Sequence, residues 1–143
     1  MEIKNKRAFF DYYIEKELEA GIVLTGTEIK SIRKGSVDIK EAYIKIKNKE
    51  AFIINMYIAK YEEGNRFNHE ERRTRKLLLH KKEIERLENS SAKDGYTIVP
   101  LKLYIKNGKA KILIATARGK HLYDKRKALK EQELKKEVNY NAF

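Results

Sequence analysis

Three short segments of the chain combine cationic side chains with aromatic rings. They are "NKRAFF" at residues 5–10, "GNRFNHEERRTRK" at residues 64–76 and "ARGKHLYDKR" at residues 117–126. Lysine and arginine neutralise phosphates, while aromatic rings and guanidinium planes stack on unpaired bases, so this combination suits the loops of folded RNA. A single segment is weak evidence, because aromatic residues near strands usually belong to a core. Three of them indicate a protein that binds structured RNA.

The net charge of the chain agrees with an anionic partner. Its 143 residues include 33 Lys and Arg against 21 Asp and Glu, which gives a formal charge of +12. Such an excess opposes compaction and is typical of proteins that bind nucleic acid, and less often of proteins that bind an anionic membrane. Lysines that only keep a protein in solution would explain the charge but not its clustering with aromatic rings.

Residues suited to catalysis or metal binding are not grouped in the sequence. There is no cysteine, and His69, His80 and His121 do not stand at a metal-ligand spacing. No nucleophile elbow, P-loop or dinucleotide-binding motif occurs. We therefore expect no metal, no cofactor and no enzymatic activity. No apolar run approaches the roughly 20 residues of a membrane span and the N-terminus lacks a signal-peptide core, so we expect a cytoplasmic protein with no membrane partner.

Short strands are expected to position these segments. Alternating apolar residues predict one or two strands over residues 12–24, broken near Ala20–Gly21, and further strands over residues 36–59 that turn at Lys47–Glu50. The apolar positions shift by one residue after Ile39, which predicts a β-bulge. The apolar positions that alternate after the turn are Phe52, Ile54, Met56 and Ile58.

A hairpin and two helices complete the pattern. Asn107–Gly108 predicts a tight hairpin, because both turn positions need a positive φ. The flanking strands alternate at Val99, Leu101, Leu103 and Ile105 and at Ala110, Ile112 and Ile114. One helix is predicted over residues 25–35, capped by Thr27 and ended by Gly35, and a second over residues 77–95.

About six short strands with two to three helices indicate a mainly β protein. An antiparallel sheet that closes into an OB-type Greek-key barrel is the preferred architecture, because closure removes the sheet edges; an open α+β sandwich fits the periodicity nearly as well. We place the barrel domain at residues 1–119 and a basic tail at residues 120–143. Ten of the fourteen residues 124–137 are charged, so we expect the tail to be disordered until a partner orders it. The alternative is a fixed helix docked through Leu129, Leu134 and Val138.

The same segments resemble the SmpB family, the SsrA-binding proteins of bacterial ribosome rescue. The matching stretches include "NKRAFFDYYIEKELEAGIVLTGTEIKSIRKG", "GNRFNH", "RTRKLLLHKKEI", "VPLKLYIKNGKAKILIATARGK" and "YDKR", in the order and spacing of the family. The resemblance implies an OB-fold barrel with attached helices. It also implies binding to the tRNA-like domain of transfer-messenger RNA (tmRNA), which such proteins deliver to ribosomes stalled without a stop codon. Glu70–Glu71 and Leu134 depart from the family pattern, in which Asp–Pro and Trp are frequent.

The resemblance further implies roles for particular residues. Glu19, Leu78 and Lys111 match positions tied to tmRNA binding, and we expect Glu19 to accept hydrogen bonds or to hold a neighbouring cation. With the N-terminal motif and nearby cations added, the predicted tmRNA-binding set is Asn5, Lys6, Arg7, Glu19, Lys30, Arg33, Arg66, Leu78 and Lys111.

By the same resemblance, the end of the chain contacts the small ribosomal subunit. It implies a helix in the empty messenger channel near the decoding centre, with Tyr123 stacked on a base. The residues assigned to this contact are Arg118, Gly119, Lys120, Tyr123, Asp124, Lys125 and Arg126. The implied partners are tmRNA and small-subunit rRNA and, through tmRNA, elongation factor Tu and alanyl-tRNA synthetase, with no DNA. Charge and a barrel alone would equally suit a general RNA chaperone or a ribosomal protein.

Overall fold

The computed structural model describes residues 2–120, apart from the side chains of residues 64–66. Within this range there are three α-helices and one 3₁₀ helix, at Glu62–Phe67. The helices are α1 (Lys6–Asp11), α2 (Gly26–Arg33) and α3 (Lys81–Ser91). The strands are β1 (Glu2–Lys4), β2 (Tyr12–Ile22), β3 (Val37–Asp38), β4 (Tyr43–Lys47), β5 (Glu50–Ile54), β6 (Tyr57–Ile58), β7 (Arg75–Leu78), β8 (Tyr96–Lys106) and β9 (Lys109–Gly119).

Six of the strands close into a barrel. They pair antiparallel in the order β8-β4-β5-β7-β2-β9, and β9 pairs again with β8. Strand β1 pairs antiparallel with residues 102–104 of β8, and β3 pairs with β6 in a separate ribbon. The predicted mainly β fold with an antiparallel sheet is confirmed, and the closure excludes the open sandwich. Strand β2 pairs with β7 and β9 rather than with its chain neighbour β4, as a Greek-key connection requires.

Two apolar layers lie on opposite sides of strands β8 and β9. Ile112 and Ile114 point into the barrel, whereas Ala115 and Ala117 point outward and are covered by α1 through Ala8. Each isoleucine or leucine side chain buried in this way contributes about 1.5–3 kcal/mol relative to exposure. The outer layer fixes α1, and with it the first cationic segment, to the end of β9.

A bulge changes the predicted face of β8. The pairing with β9 shifts between Pro100 and Lys102, so Leu101 lies under α1 while Leu103 lies inside the barrel. The predicted single face through Val99 and Ile105 is therefore wrong. A proline in a paired strand is accommodated at such a bulge because it has no N–H to donate.

Three other predictions of local structure are corrected. Strand β2 is continuous through Ala20–Gly21, with its irregularity between Ile14 and Glu17 instead. The shift after Ile39 is not a bulge, since the chain leaves the β3 ribbon and turns into β4. After the turn at Lys47–Glu50 the buried residues are Ala51, Ile53, Met56 and Ile58. Phe52 and Ile54 are not among them, because Asn55 at φ 65° interrupts the alternation.

The N-cap of helix α2 is Thr25, two residues before the predicted cap Thr27. The hydroxyl oxygen of Thr25 accepts from the Glu28 N–H at 3.4 Å, and the Glu28 carboxylate accepts from the Thr25 N–H at 2.8 Å. This reciprocal pair is a capping box. Gly35 ends the helix at φ 76°, as predicted.

Residues 121–143 of the predicted tail lie outside the described residues, and with them Tyr123, Asp124, Lys125 and Arg126. In the part of the chain that is described, no helix has the length and apolar character needed to cross a membrane.

Candidate RNA interface

A carboxylate, a phenol and two lysines meet where β8, β9 and β2 lie side by side. The Tyr104 hydroxyl donates a hydrogen bond to Oε2 of Glu19, and the Lys106 ammonium lies 3.7 Å from Oε1 of Glu19. Lys111 stands on β9 between them, paired with Tyr104 on one side and with Gly21 on the other. The four polar side chains therefore form one group.

The electrostatics of this group keep Glu19 charged and Tyr104 protonated near neutral pH. The hydrogen bond from Tyr104 is the main cause that lowers the pKa of Glu19. Burial opposes it, but the charges of Lys106 and Lys111 also lower the pKa, so the pKa of Glu19 is lowered overall. Burial, followed by the hydrogen bond to Glu19 and the charge of its carboxylate, raises the pKa of Tyr104 to about 12. The phenol is thus held as a donor and the carboxylate as an acceptor.

Leu78 extends this group across the next strand. It pairs with Gly21, is 56% exposed, and has its Cβ 3.2 Å from where a Cβ on Gly21 would lie. Because Gly21 has no side chain, the Leu78 side chain can lie close to the backbone of β2. Leu78, Gly21 and Lys111 are therefore neighbours across the three strands β7, β2 and β9. We call Glu19, Leu78, Tyr104, Lys106 and Lys111 the central patch. It brings together the three residues that the family resemblance predicts to bind tmRNA, Glu19, Leu78 and Lys111.

The sequence reasoning missed Tyr104 and Lys106, although a signal was present. Counting back from the Asn107–Gly108 hairpin pairs Lys106 with Lys109 and Tyr104 with Lys111, as the structure has it. The register of a tight hairpin would have placed both residues beside the predicted Lys111.

Asn5 lies in the interior, at 1% exposure. Its amide nitrogen donates to the carbonyls of Ile39 at 3.2 Å and Pro100 at 2.8 Å, and its side-chain oxygen accepts from the Ala8 N–H at 3.2 Å. Every polar atom of the side chain is bonded within the protein, so Asn5 holds α1 on the barrel. Lys6 and Arg7 follow on the exposed side of α1.

The end of β9 carries a second group of rings and cations. Phe9 and Phe10 are 51% and 82% exposed, and Tyr13, near the start of β2, is 38% exposed. Arg118 and Lys120 each lie 5.1 Å from the centre of the Tyr13 ring. Lys120 also donates to the carbonyl of Phe9 at 3.3 Å. We call Phe9, Phe10, Tyr13, Arg118 and Lys120 the tail-root platform, because the chain continues from it into residues 121–143.

Lys30 and Arg33 are exposed on α2, which contacts β6. The Lys30 and Lys34 ammonium groups lie 5.3 and 4.8 Å from the centre of the Tyr61 ring. This basic surface belongs to neither of the two groups above.

The second cationic segment serves mainly to build the fold. Glu28 and Arg75 are fully buried and form an ion pair, and Arg73 lies 2.6 Å from the same carboxylate. The Arg75 guanidinium also donates to the Met56 carbonyl at 2.6 Å. The interpretation of this whole segment as an RNA-binding site is therefore wrong for the fully buried Arg75, whereas for the partly exposed Arg73 it stays a prediction. The side chain of Arg66, also predicted to bind RNA, is not among those described.

His69 is buried near this network and both of its ring nitrogens have partners. Its Nδ1 lies 2.9 Å from the Thr27 hydroxyl and its Nε2 lies 2.9 Å from the Ile58 carbonyl oxygen. Burial raises the pKa of Glu28, but the bonds from Arg73, Thr25 and Arg75 outweigh it, so the pKa is lowered overall. The sequence could not predict the contacts of Glu28 and Thr27 in this network, because their partners lie more than 40 positions away.

The central patch and the tail-root platform lie at opposite ends of β2 and β9. Lys111 pairs with Gly21, whereas Arg118 pairs with Tyr13. The two pairings lie seven positions apart on β9, which corresponds to roughly 20 Å of extended strand. The barrel thus presents two cationic surfaces that one small ligand group cannot touch at once.

Comparison with known proteins assigns the chain to a family. The family described as "SmpB protein" matches residues 2–142. The chain is 56% identical over 135 residues to the SsrA-binding protein of Bacillus cereus (strain AH820), covering 94% of this chain and 87% of that protein. It is 58% identical to the SsrA-binding protein of Staphylococcus aureus (strain Newman), covering 94% and 88%.

A solved structure gives the same assignment. The chain matches one described as "tmRNA-SmpB: a journey to the center of the bacterial ribosome", with a TM-score of 0.72 and 47% identity over 83% of this chain and 84% of that one. At such identity and coverage, and with the barrel and central patch in place, this protein belongs to the SmpB family.

Proposed function

We propose that this protein binds the tRNA-like domain of tmRNA and brings it to stalled ribosomes in trans-translation. The observation that carries the proposal is the central patch, which brings Glu19, Leu78 and Lys111 together across three neighbouring strands. The SsrA-binding relatives and the solved tmRNA–SmpB structure support it.

The chemistry of the central patch suits a folded RNA. Lys106 and Lys111 supply positive charge for phosphates, and the exposed Leu78 offers an apolar surface to a ribose or a base edge. Glu19 repels phosphates, but it holds Lys106 and Tyr104 in fixed positions. A cation already oriented loses less side-chain entropy when RNA binds.

The tail would act at the other end of the molecule. We propose a barrel domain at residues 1–119 and a ribosome-binding tail at residues 120–143, with Arg118, Gly119 and Lys120 at the junction. In the messenger channel the tail residues would be Tyr123, Asp124, Lys125 and Arg126. Elongation factor Tu and alanyl-tRNA synthetase would be partners only through tmRNA, and the cytoplasm, where ribosomes work, is the proposed location.

The RNA that co-purifies with the full-length protein tests this function. We expect one dominant species with a tRNA-like end, identified by sequencing the bound RNA after purification at moderate salt. The Lys106→Ala/Lys111→Ala double variant should lose that species. A broad mixture of RNAs bound equally by both proteins would contradict the proposal and favour a general RNA chaperone.

A further inference from the structure

We propose that the tail-root platform binds an unpaired base of ribosomal RNA, which stacks on the ring of Phe10. The inference rests on the proposed function, because it takes the ribosome as the partner. It adds a barrel contact to the part of the complex assigned so far to the tail. The base is identified by its chemistry, a planar ring next to a phosphate, rather than by its position in the RNA.

The exposure of the rings is the first observation. Phe10 is 82% exposed although its neighbour Ala8 is 3% exposed, so α1 directs its small residue inward and its large one outward. An isolated exposed phenylalanine is unremarkable on a protein surface. Phe10, however, directly follows the exposed Phe9 in the chain. The Lys120 ammonium that is bonded to the Phe9 carbonyl also lies 5.1 Å from the centre of the exposed Tyr13 ring. A cluster of this kind indicates an interaction surface.

The second observation is the positive charge built around these rings. Arg118 and Lys120 lie against the Tyr13 ring, and Lys120 is bonded to the Phe9 carbonyl. Lys6 and Arg7 are exposed on the same helix, and Asp11 pairs with Arg7 at 3.2 Å. An apolar protein surface would have to desolvate these cations without neutralising them. A nucleotide satisfies both features, since its base stacks on a ring while its phosphate meets a cation.

The third observation is that the platform is held in place before any ligand arrives. Asn5 bonds α1 to the carbonyls of Ile39 and Pro100, and Gly119 donates its N–H to the Gly95 carbonyl at 3.1 Å. A ring on such a rigid support loses little conformational entropy on binding.

The position of the platform selects ribosomal RNA over tmRNA. It lies roughly 20 Å along β9 from the central patch, at the end where the chain continues into the proposed ribosome-binding tail. An RNA held at the central patch would have to extend along the whole strand to reach Phe10. RNA around the start of the tail would meet the platform at Lys120, which is bonded to the carbonyl of Phe9, the residue before Phe10.

Variants that distinguish aromatic stacking from a general apolar contact test the proposal. Phe10→Leu keeps an apolar side chain but removes the ring, whereas Phe10→Tyr keeps the ring. Binding of each full-length protein is measured to isolated small ribosomal subunits and, separately, to a folded tRNA-like fragment of tmRNA. We expect Phe10→Leu to weaken subunit binding about tenfold, which is the effect of losing one base-on-ring contact. Phe10→Tyr should bind subunits within twofold of the unmodified protein, and all three proteins should bind the tmRNA fragment equally.

Chemical probing of the subunit RNA gives a second readout. One base should be protected by the unmodified protein and by Phe10→Tyr, and should become reactive with Phe10→Leu. Unchanged subunit affinity in Phe10→Leu, or equal loss in the leucine and tyrosine variants, would overturn the proposal. A selective loss of tmRNA binding would assign the platform to tmRNA instead.

Two further results would overturn it in different ways. Faster amide exchange of residues 121–143 in free Phe10→Leu, with subunit affinity unchanged, would show that the chain's own tail covers the rings. If the unmodified protein bound neither RNA, the proposed function itself would fail. If Phe10→Leu bound both the small subunits and the tmRNA fragment as tightly as the unmodified protein, only this inference would fail and the proposed function would stand.

Discussion

The Tyr104 hydroxyl on β8 donates a hydrogen bond to the Glu19 carboxylate on β2, with Lys111 of the intervening strand β9 beside them. A charged carboxylate on a surface proposed for RNA would otherwise repel phosphates. Here it serves as the acceptor that fixes a phenol and a lysine, so its charge is compensated within the protein.

The first prediction concerns the pKa values of this pair. In Tyr104→Phe the pKa of Glu19 should rise toward its ordinary value, because the hydrogen bond is the main cause of its lowering. NMR titration of the Glu19 side chain measures the change, and Tyr43→Phe, at an exposed tyrosine on β4, is the control. An unchanged titration of Glu19 in Tyr104→Phe would show that the bond contributes nothing.

Stability at alkaline pH follows from the same pair. The Tyr104 pKa of about 12 lies above the ordinary value of 10.0. The folded state therefore holds this proton more tightly than the unfolded chain, and its contribution is complete below pH 10 and lost as the pH rises toward 12. Urea unfolding across this range should show a steeper loss of stability for the natural protein than for Tyr104→Phe. Parallel curves would contradict the assignment.

A second prediction uses salt to count phosphates. If the central patch and nearby cations neutralise about six phosphates, the logarithm of the affinity for the tmRNA fragment should fall with the logarithm of the salt concentration at a slope near −4 to −5. Lys111→Ala should reduce that slope by about 0.8. Lys45→Ala, an exposed lysine on β4, is the matched control and should leave the slope unchanged. An equal reduction in both variants would mean that the lysines act only through net charge.

A third prediction concerns the close approach of β2 and Leu78. A methyl group at position 21 would lie 3.2 Å from the Leu78 Cβ, so Gly21→Ala should push Leu78 outward and weaken tmRNA binding several-fold. The crowding should cost about 1–3 kcal/mol of folding free energy, measured by urea unfolding. Gly26→Ala is the control, because no atom lies within 4 Å of its added carbon. Full RNA affinity in Gly21→Ala would argue against a role for the position of Leu78.

A fourth prediction tests the buried ion network. Glu28→Gln leaves Arg75 in the interior without its counter-charge, and should lower the free energy of unfolding by about 3–5 kcal/mol. Glu63→Gln removes an exposed partner of Lys34 at 3.6 Å and should cost at most about 1 kcal/mol. Because the pKa of Glu28 is lowered on folding, its contribution should be present above the ordinary carboxylate pKa and lost as the pH falls. Equal losses in the two variants would contradict a special role for Glu28.

Local turn chemistry explains which features the sequence predicts well. Asn107 and Gly108 have φ values of 52° and 74°, and Asn48 and Lys49 also have positive φ, so both hairpins follow from residues within the turns. The predicted stop at Gly35 is local in the same way. Because the second hairpin sets the register of β8 and β9, the sequence also contains the Tyr104–Lys111 neighbourhood of the candidate site.

Long-range contacts explain the features that the sequence does not predict. The bulge after Pro100 arises where β8 must turn one face to α1 and the other to the barrel. From the sequence alone, Arg75 is interpreted as a surface cation, because its partner Glu28 lies 47 residues earlier. Asn5 reads as part of a basic motif for the same reason, since its bonding partners lie 34 and 95 residues away.

Photocrosslinking from the central patch tests the central claim most directly. A photoreactive side chain at Lys109, which pairs with Lys106 at the edge of the patch, leaves the proposed contacts intact in the full-length protein. After irradiation in cells, we expect the cross-linked RNA to be tmRNA, with the sites confined to its tRNA-like domain. Cross-links spread over many RNAs, or concentrated on ribosomal RNA, would contradict the account.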